Sequence, residues 1–315
     1  MEENKKMTQQ LILSGGIFSD IEAWESSNGQ DGLANKLARD EGRDVWEIEM
    51  TGGPIGENES SLDYTYQNLV EDYWPALLGA VQYYTGKITM DYVGHSNGCR
   101  AALSSLKDYQ TTGKSNVGIV QNLITGNNQT VSLQGNSGAH VVNTFVGVAC
   151  PGELNELTIF SSATRYNVLG GLSAGDATMN LISSSHTTLR NYGTKLMLVS
   201  LGSPLPSAQI TFIISLFTGS DKISRNLIDF YNDLSIEPNS NFSLSGLNIS
   251  KVRLYYSNYL LLGNDAIVPV EDMYTINNSM VSSDKRGEVL ANPFLHHSGI
   301  KDSNTLKEEI ISELR

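Results

Sequence analysis

The stretch "ITMDYVGHSNGCRAALSSL", residues 88–106, decides the fold. Its first six residues are rich in β-branched and aromatic side chains and read as a buried strand. Gly94, Ser96 and Gly98 then form a G-x-S-x-G pattern, and small residues and leucines follow, as a packed helix requires. A strand that turns straight into a helix needs a strained backbone at its tip and glycines beside it, where strand and helix approach closely. The helix N-terminus adds backbone N–H groups and partial positive charge beside Ser96. Ser96 is therefore a candidate nucleophile. A second match, Ser173 in "NVLGGLSAGDATMNL", lacks this context: four residues precede its glycines, and the β-branched, Ser-rich segment after it is a poor helix. Ser173 reads as part of a flexible glycine loop.

Working outward, strand-like and helix-like segments alternate. "QLILSGG" (10–16) reads as a buried strand ending in a glycine loop, "DGLANKLARDEG" (31–42) as a helix, and "DVWEIEM" (44–50) as a strand. Residues 61–86 read as a long amphipathic helix interrupted or kinked at Pro75. Strands are expected at 87–93, 141–152 and 251–269, helices at 98–109 and at the C-terminal "TLKEEIISELR". This alternation predicts an α/β fold with a mostly parallel central sheet flanked by helices. The whole of 1–315 is read as one domain. The polar, Gly- and Asn-rich residues 110–140 read as an insertion or long loop, and about 153–235 as a cap or lid region.

Composition narrows the function classes. The chain has 315 residues, 40% of them hydrophobic, enough for a substantial core, and a net charge of −13. That charge argues against nucleic acid and anionic membrane surfaces as partners. No apolar run reaches transmembrane length. The two cysteines, Cys99 and Cys150, cannot build a disulfide framework, and no Cys or His spacing suggests a metal site. No metal or organic cofactor is expected. The polar start "MEENKKMTQQ" carries no signal-peptide pattern, which leaves an intracellular protein or a trimmed secreted one. Oligomeric state has no signature here.

On these motifs and this layout the sequence resembles the α/β-hydrolase family, and within it the compact lipases and esterases. The resemblance covers about residues 10–110 and 250–300. In that family an acid follows the nucleophile after a late strand, and a histidine follows the acid in a loop before the last helix. The resemblance implies Asp265, in "LLLGNDAIVPVEDM", as the acid, with Asp221 in "FTGSDKIS" as its rival. It implies His297 in "NPFLHHSGIKDS" as the base, with the adjacent His296 as the alternative. His95 is expected to pack or hydrogen-bond within the turn, pointing away from Ser96. The implied oxyanion hole takes the N–H of Asn97 and one from "SGGIFSD", that of Ile17 or, alternatively, Phe18.

The implied activity is hydrolysis of a small-molecule or lipid carboxylic ester through a Ser-His-Asp triad and an acyl-enzyme. Thioesterase, amidase and acyltransferase chemistry would use the same triad. Action on aggregated lipid would need a lid, for which 210–231 is the candidate segment. A hydrolase fold used only for binding is the remaining alternative.

Overall fold

The computed structural model describes residues 9–16, 19, 21–25, 31–49, 68–112, 117–121, 127–134, 141–151, 249–261, 265, 270, 276, 284–297 and 299–315. The expected cap or lid at 153–235, with Ser173, Asp221 and the segment 210–231, lies outside them, as do Ile17 and Phe18.

The core is a six-stranded, wholly parallel sheet in the order β2-β1-β3-β6-β7-β8. Its strands are β1 (Gln10–Ser14), β2 (Asp44–Ile48), β3 (Met90–His95), β6 (Val142–Val148), β7 (Lys251–Ser257) and β8 (Lys285–Leu290). Parallel pairing demands crossovers that cover both faces, so the central strands are apolar on both. Leu11, Leu13, Val93, Val146 and Tyr255 pack to one side, against α1 (Leu33–Arg39) and α4 (Asn304–Leu314). Ile12, Tyr92, Phe145 and Leu254 pack to the other, against α2 (Trp74–Thr85) and α3 (Asn97–Thr112). Each large apolar side chain buried in this way contributes about 1.5–3 kcal/mol.

Local chemistry sets the element ends. The expected long helix is wound as a π-helical turn over Leu69–Tyr73 and becomes α-helical at Trp74. Pro75 falls in the first α-helical turn, where its missing N–H costs least. Gly86, in the left-handed conformation, ends α2.

Two features were not read from the sequence. The expected insertion at 110–140 contains a two-stranded antiparallel sheet, β4 (Val117–Gln121) with β5 (Asn128–Ser132), and α3 extends to Thr112. Gln82 of α2 anchors the segment after β5: its Nε2 donates to Gln134 O at 2.6 Å and its Oε1 accepts from Gln134 N at 2.8 Å. Second, β8 closes the sheet at its far edge, with the exposed, charged pattern of an edge strand. Among the described residues no helix is long and apolar enough to cross a membrane.

The lower rim, at the N-terminal ends of the strands, is tied by a buried carboxylate. Between Met90 and Tyr92 the pairing with β6 slips by one residue. Asp91 fills the gap: its Oδ1 accepts from Thr144 N at 3.1 Å and from Gln9 Nε2 at 3.3 Å. Arg43, just before β2, pairs with its Oδ2.

Candidate active site

At the upper rim, the C-terminal ends of the strands, β3 runs into α3 through Ser96, whose φ of 52° puts a non-glycine residue in the left-handed region. Ser96 N donates to Val148 O of β6 at 2.8 Å, and Ser96 O accepts from Cys99 N at 3.0 Å and Arg100 N at 3.1 Å. The backbone is thus held on both sides of the strained residue. The glycines follow from sterics. A Cβ on Gly94 would lie 2.8 Å from Cys99 N, and one on Gly98 would lie 2.3 Å from Gly15 O. Only glycine lets α3 start this close to β1 and β3.

Beneath the turn, Tyr92 is fully buried and stacks on Phe145, with ring centroids 5.2 Å apart. Its hydroxyl donates to Gly98 O at 2.7 Å and accepts from Trp74 Nε1 at 3.1 Å. Burial drives the Tyr92 pKa well above the ordinary phenol value, so it stays a neutral donor. Cys99, in the first turn of α3, forms a disulfide with Cys150, just past β6, and both are fully buried. The two cysteines therefore do make one bridge, where the sequence excluded only a framework of several.

Two loops from distant parts of the chain meet Ser96. Asp265, beyond β7, and His297, between β8 and α4, are both buried. His297 Nδ1 stands 2.7 Å from Asp265 Oδ2, and its Nε2 stands 2.8 Å from Ser96 Oγ. His297 N also donates to Asp265 O at 2.7 Å, so backbone as well as side chain fixes the pair. An ionised carboxylate only accepts, which puts the imidazole proton on Nδ1 and leaves the Nε2 lone pair facing the serine hydroxyl.

Of the alternatives, His296 does not reach this cluster. Its Nδ1 accepts from Gly299 N at 3.0 Å, and its ring meets Tyr259 edge-on at 6.1 Å. Burial and the neighbouring His297 lower its pKa. His95 makes no hydrogen bond to Ser96; its Nε2 lies 2.8 Å from the main-chain oxygen of His297. Asn97 is buried in the first turn of α3, where the leading N–H groups have no acceptor inside the helix. Gly16 lies against the serine from the other side: a Cβ there would come within 3.1 Å of Ser96 Cβ. Among the described residues no group of three or more His, Cys, Asp and Glu side chains comes together as a metal-ion site.

The rim beside the cluster carries exposed apolar side chains: Leu260 and Leu261 after β7, and Phe294 after β8. Both leucines have positive φ, and Leu260 N donates to Pro293 O at 2.7 Å, tying one loop to the other. Sequence patterning did not single out Leu260 and Leu261, because the run of leucines reads as part of the strand expected over 251–269, whereas β7 ends at Ser257 and both fall in the turn after it.

No protein-family model and no curated protein matches the sequence. Solved structures do match the fold. A hydrolase from Oleispira antarctica aligns with a TM-score of 0.54 at 11% identity, covering 97% of this chain and 90% of its own. MenH from S. aureus aligns at 0.52 and 16% identity, covering 100% and 96%. A lipase-esterase related protein from Clostridium acetobutylicum ATCC 824 aligns at 0.51 and 13%, covering 98% and 96%. Identities this low speak for architecture alone. With its parallel sheet, strand order and strained turn, the chain has the α/β-hydrolase fold.

Proposed function

We propose that this protein is a serine hydrolase that cleaves carboxylic esters, with Ser96 as nucleophile, His297 as general base and acid, and Asp265 as the orienting carboxylate. The observation that carries this reading is the single imidazole bridging Ser96 Oγ and Asp265 Oδ2 at 2.8 and 2.7 Å. A buried serine on a strained turn has few structural reasons to be aligned with a histidine whose other nitrogen faces a buried carboxylate.

The chemistry follows from the tautomer. His297 Nε2 takes the proton of Ser96 as Oγ attacks the ester carbonyl carbon. The resulting oxyanion is held by main-chain N–H groups, that of Asn97 and one from Ile17 or Phe18. The positive charge formed on the imidazole is stabilised by Asp265 across Nδ1–H. His297 then gives the proton to the departing alkoxide, and the alcohol leaves an acyl-Ser96 intermediate. Water, deprotonated by the same Nε2, attacks this ester; the tetrahedral intermediate collapses, Ser96 recovers its proton and the acid leaves. The exposed Leu260, Leu261 and Phe294 beside the two loops favour an ester with an apolar acyl or alcohol part. Thioesters, amides and acyl transfer to an alcohol would use the same residues.

Hydrolysis of p-nitrophenyl esters of graded chain length tests the proposal, with wild type beside Ser96→Ala and Ser173→Ala. Activity abolished by Ser96→Ala alone supports it, and the chain-length profile begins to define the pocket. Activity that survives Ser96→Ala overturns it. Addition of an alcohol acceptor to the same assay separates hydrolysis from acyl transfer.

A further inference from the structure

His95 immediately precedes the nucleophile but takes no part in the proton path of Ser96, His297 and Asp265. It is buried, and its Nε2 lies 2.8 Å from the carbonyl oxygen of His297. A carbonyl only accepts, so Nε2 carries the proton and donates. The other nitrogen, Nδ1, is buried and has no hydrogen-bond partner among the described residues. Its surroundings are tight: a Cβ on Gly16 would lie 3.2 Å from it. The two imidazoles stand with centroids 4.9 Å apart, tilted by 47°, and Trp24 meets His95 edge-on at 6.4 Å.

This arrangement is costly. A buried unpartnered nitrogen forfeits the hydrogen bond it would make in water. An apolar side chain of similar size would avoid that loss. The part of His95 without an apolar substitute is its Nε2–H, which meets the main chain of the one residue whose placement over Ser96 matters most. His297 is reached from β8 through a segment whose main chain is also held at Pro293 O, by Leu260 N, and at His297 N, by Asp265 O. His95 holds the other main-chain group of that residue, its carbonyl oxygen, from the β3 side.

We propose that His95 is a positioning residue: by donating from Nε2 to the main-chain oxygen of His297, it fixes the imidazole over Ser96 and locks the loop before α4 to the nucleophile's own strand. The proposal rests on the triad reading for its kinetic consequence, and on geometry alone for its structural one. Burial first, and the nearby His297 second, keep the His95 pKa well below the ordinary histidine value. His95 therefore stays neutral while the adjacent imidazole gains its positive charge during turnover, and no repulsion opposes that step.

Side-chain reach tests this. The amide nitrogen of glutamine can occupy the Nε2 position of a histidine, whereas that of asparagine stops near Nδ1. His95→Gln should keep kcat within about threefold of wild type. His95→Asn should lower kcat by about 10–100-fold with KM little changed, the scale expected when a reacting group is misplaced by about an ångström. His95→Met, which fills the space with no donor, should behave like His95→Asn and stands in for it should that variant fail to fold. A readout independent of turnover is the downfield proton resonance of His297 Nδ1–H facing Asp265. It should persist in wild type and His95→Gln and broaden in His95→Asn and His95→Met. Equal kcat and equal resonances in the glutamine, asparagine and methionine variants would overturn the proposal. A wild type that neither hydrolyses esters nor reacts with a fluorophosphonate probe would instead count against the triad reading, and the resonance comparison would still decide the role of His95.

Discussion

The two rims of the one sheet are built on opposite principles. At the lower rim, a buried carboxylate pairs with a partly buried guanidinium, and Asp91 takes up the N–H of Thr144 that the register slip leaves out of the ladder. At the upper rim the structure tolerates strain. The four described non-glycine residues with positive φ, Ser96, Ala149, Leu260 and Leu261, all follow the C-terminal ends of β3, β6 and β7. Among the described residues, buried polar atoms without partners occur at both rims, His95 Nδ1 and Asn97 Oδ1 at the upper and Arg43 Nε at the lower, so the backbone strain is what sets the upper rim apart. Parallel sheets bind ligands at this end because loops and helix N-termini converge on it. The contrast teaches where this chain spends stability and where it gains it: the lower rim holds the sheet together, and the upper rim uses the sheet's rigidity to hold groups in unfavourable states.

Breaking the upper rim should therefore cost function and spare the fold. Ser96→Ala and His297→Ala are each expected to reduce kcat/KM for an ester substrate by about 10⁴-fold or more. The melting temperature should be unchanged or raised, since Ser96→Ala removes a buried polar group. Steady-state kinetics and thermal denaturation of the same preparations check both halves. A large loss of stability in Ser96→Ala would erase the distinction between the rims.

The converse experiment is Asp91→Ala. It leaves the partly buried Arg43 without its carboxylate, though still bonded to Leu314 O, and Thr144 N without its acceptor. Breaking a fully buried pair costs about 3–5 kcal/mol, and partial exposure puts this loss at or below the low end of that range. Urea denaturation should show that loss, while turnover per folded molecule stays near wild type. A drop in kcat at full folding would mean that the lower rim also tunes the site.

The disulfide sharpens the comparison because it joins the strained turn to β6 directly. Cys99 and Cys150 are separated by 51 residues, and closing a loop of that length stabilises a fold by about 2–4 kcal/mol. The double variant Cys99→Ala, Cys150→Ala should unfold at correspondingly lower urea concentration and lose some activity through loosening of the α3 start. In wild type, thiol alkylation of the unfolded chain without reductant should detect no free cysteine. A free-thiol count of two would remove the bridge from this account.

How much of this was legible in the sequence depended on range. The turn at Ser96 is encoded within a dozen consecutive residues, so its strand, its two glycines and its helix could all be read locally. Asp265 and His297 carry weaker local signals; their order along the chain, supplied by the family resemblance, singled them out, and the structure brings both to Ser96. The Ser-Gly-Ile after His297 favours it over His296 in the sequence, and the geometry separates the two firmly. What escaped was non-local or polar. The edge strand β8 has Lys285, Arg286 and Glu288 in place of an apolar run, and the pair β4–β5 lies in sequence that reads as loop. The Cys99–Cys150 bridge, the Asp91–Arg43 pair and the contact from His95 to His297 join positions 51, 48 and 202 residues apart, and no periodicity encodes such contacts.

The smallest expected effect concerns pH, and it tests whether the upper rim stores instability. His95 and His296 both have folded-state pKa values depressed by burial. Below the ordinary value of 6.5 the unfolded chain takes up protons that the folded one does not, so stability falls as pH drops from that point toward the folded values. Above it, neither state binds the proton and the term vanishes. Each histidine that stays neutral on folding contributes a slope of at most about 1.4 kcal/mol per pH unit. His296 is half-buried, so solvent screening makes its share the smaller. Melting temperature measured between pH 7.5 and about 5 should therefore decline on the acid side, and His95→Gln, which removes the more deeply buried group while keeping its donor, should flatten that decline. An unchanged slope in His95→Gln would mean that the acid sensitivity resides elsewhere, and that the unpartnered nitrogen beside Ser96 is not where the upper rim holds its strain.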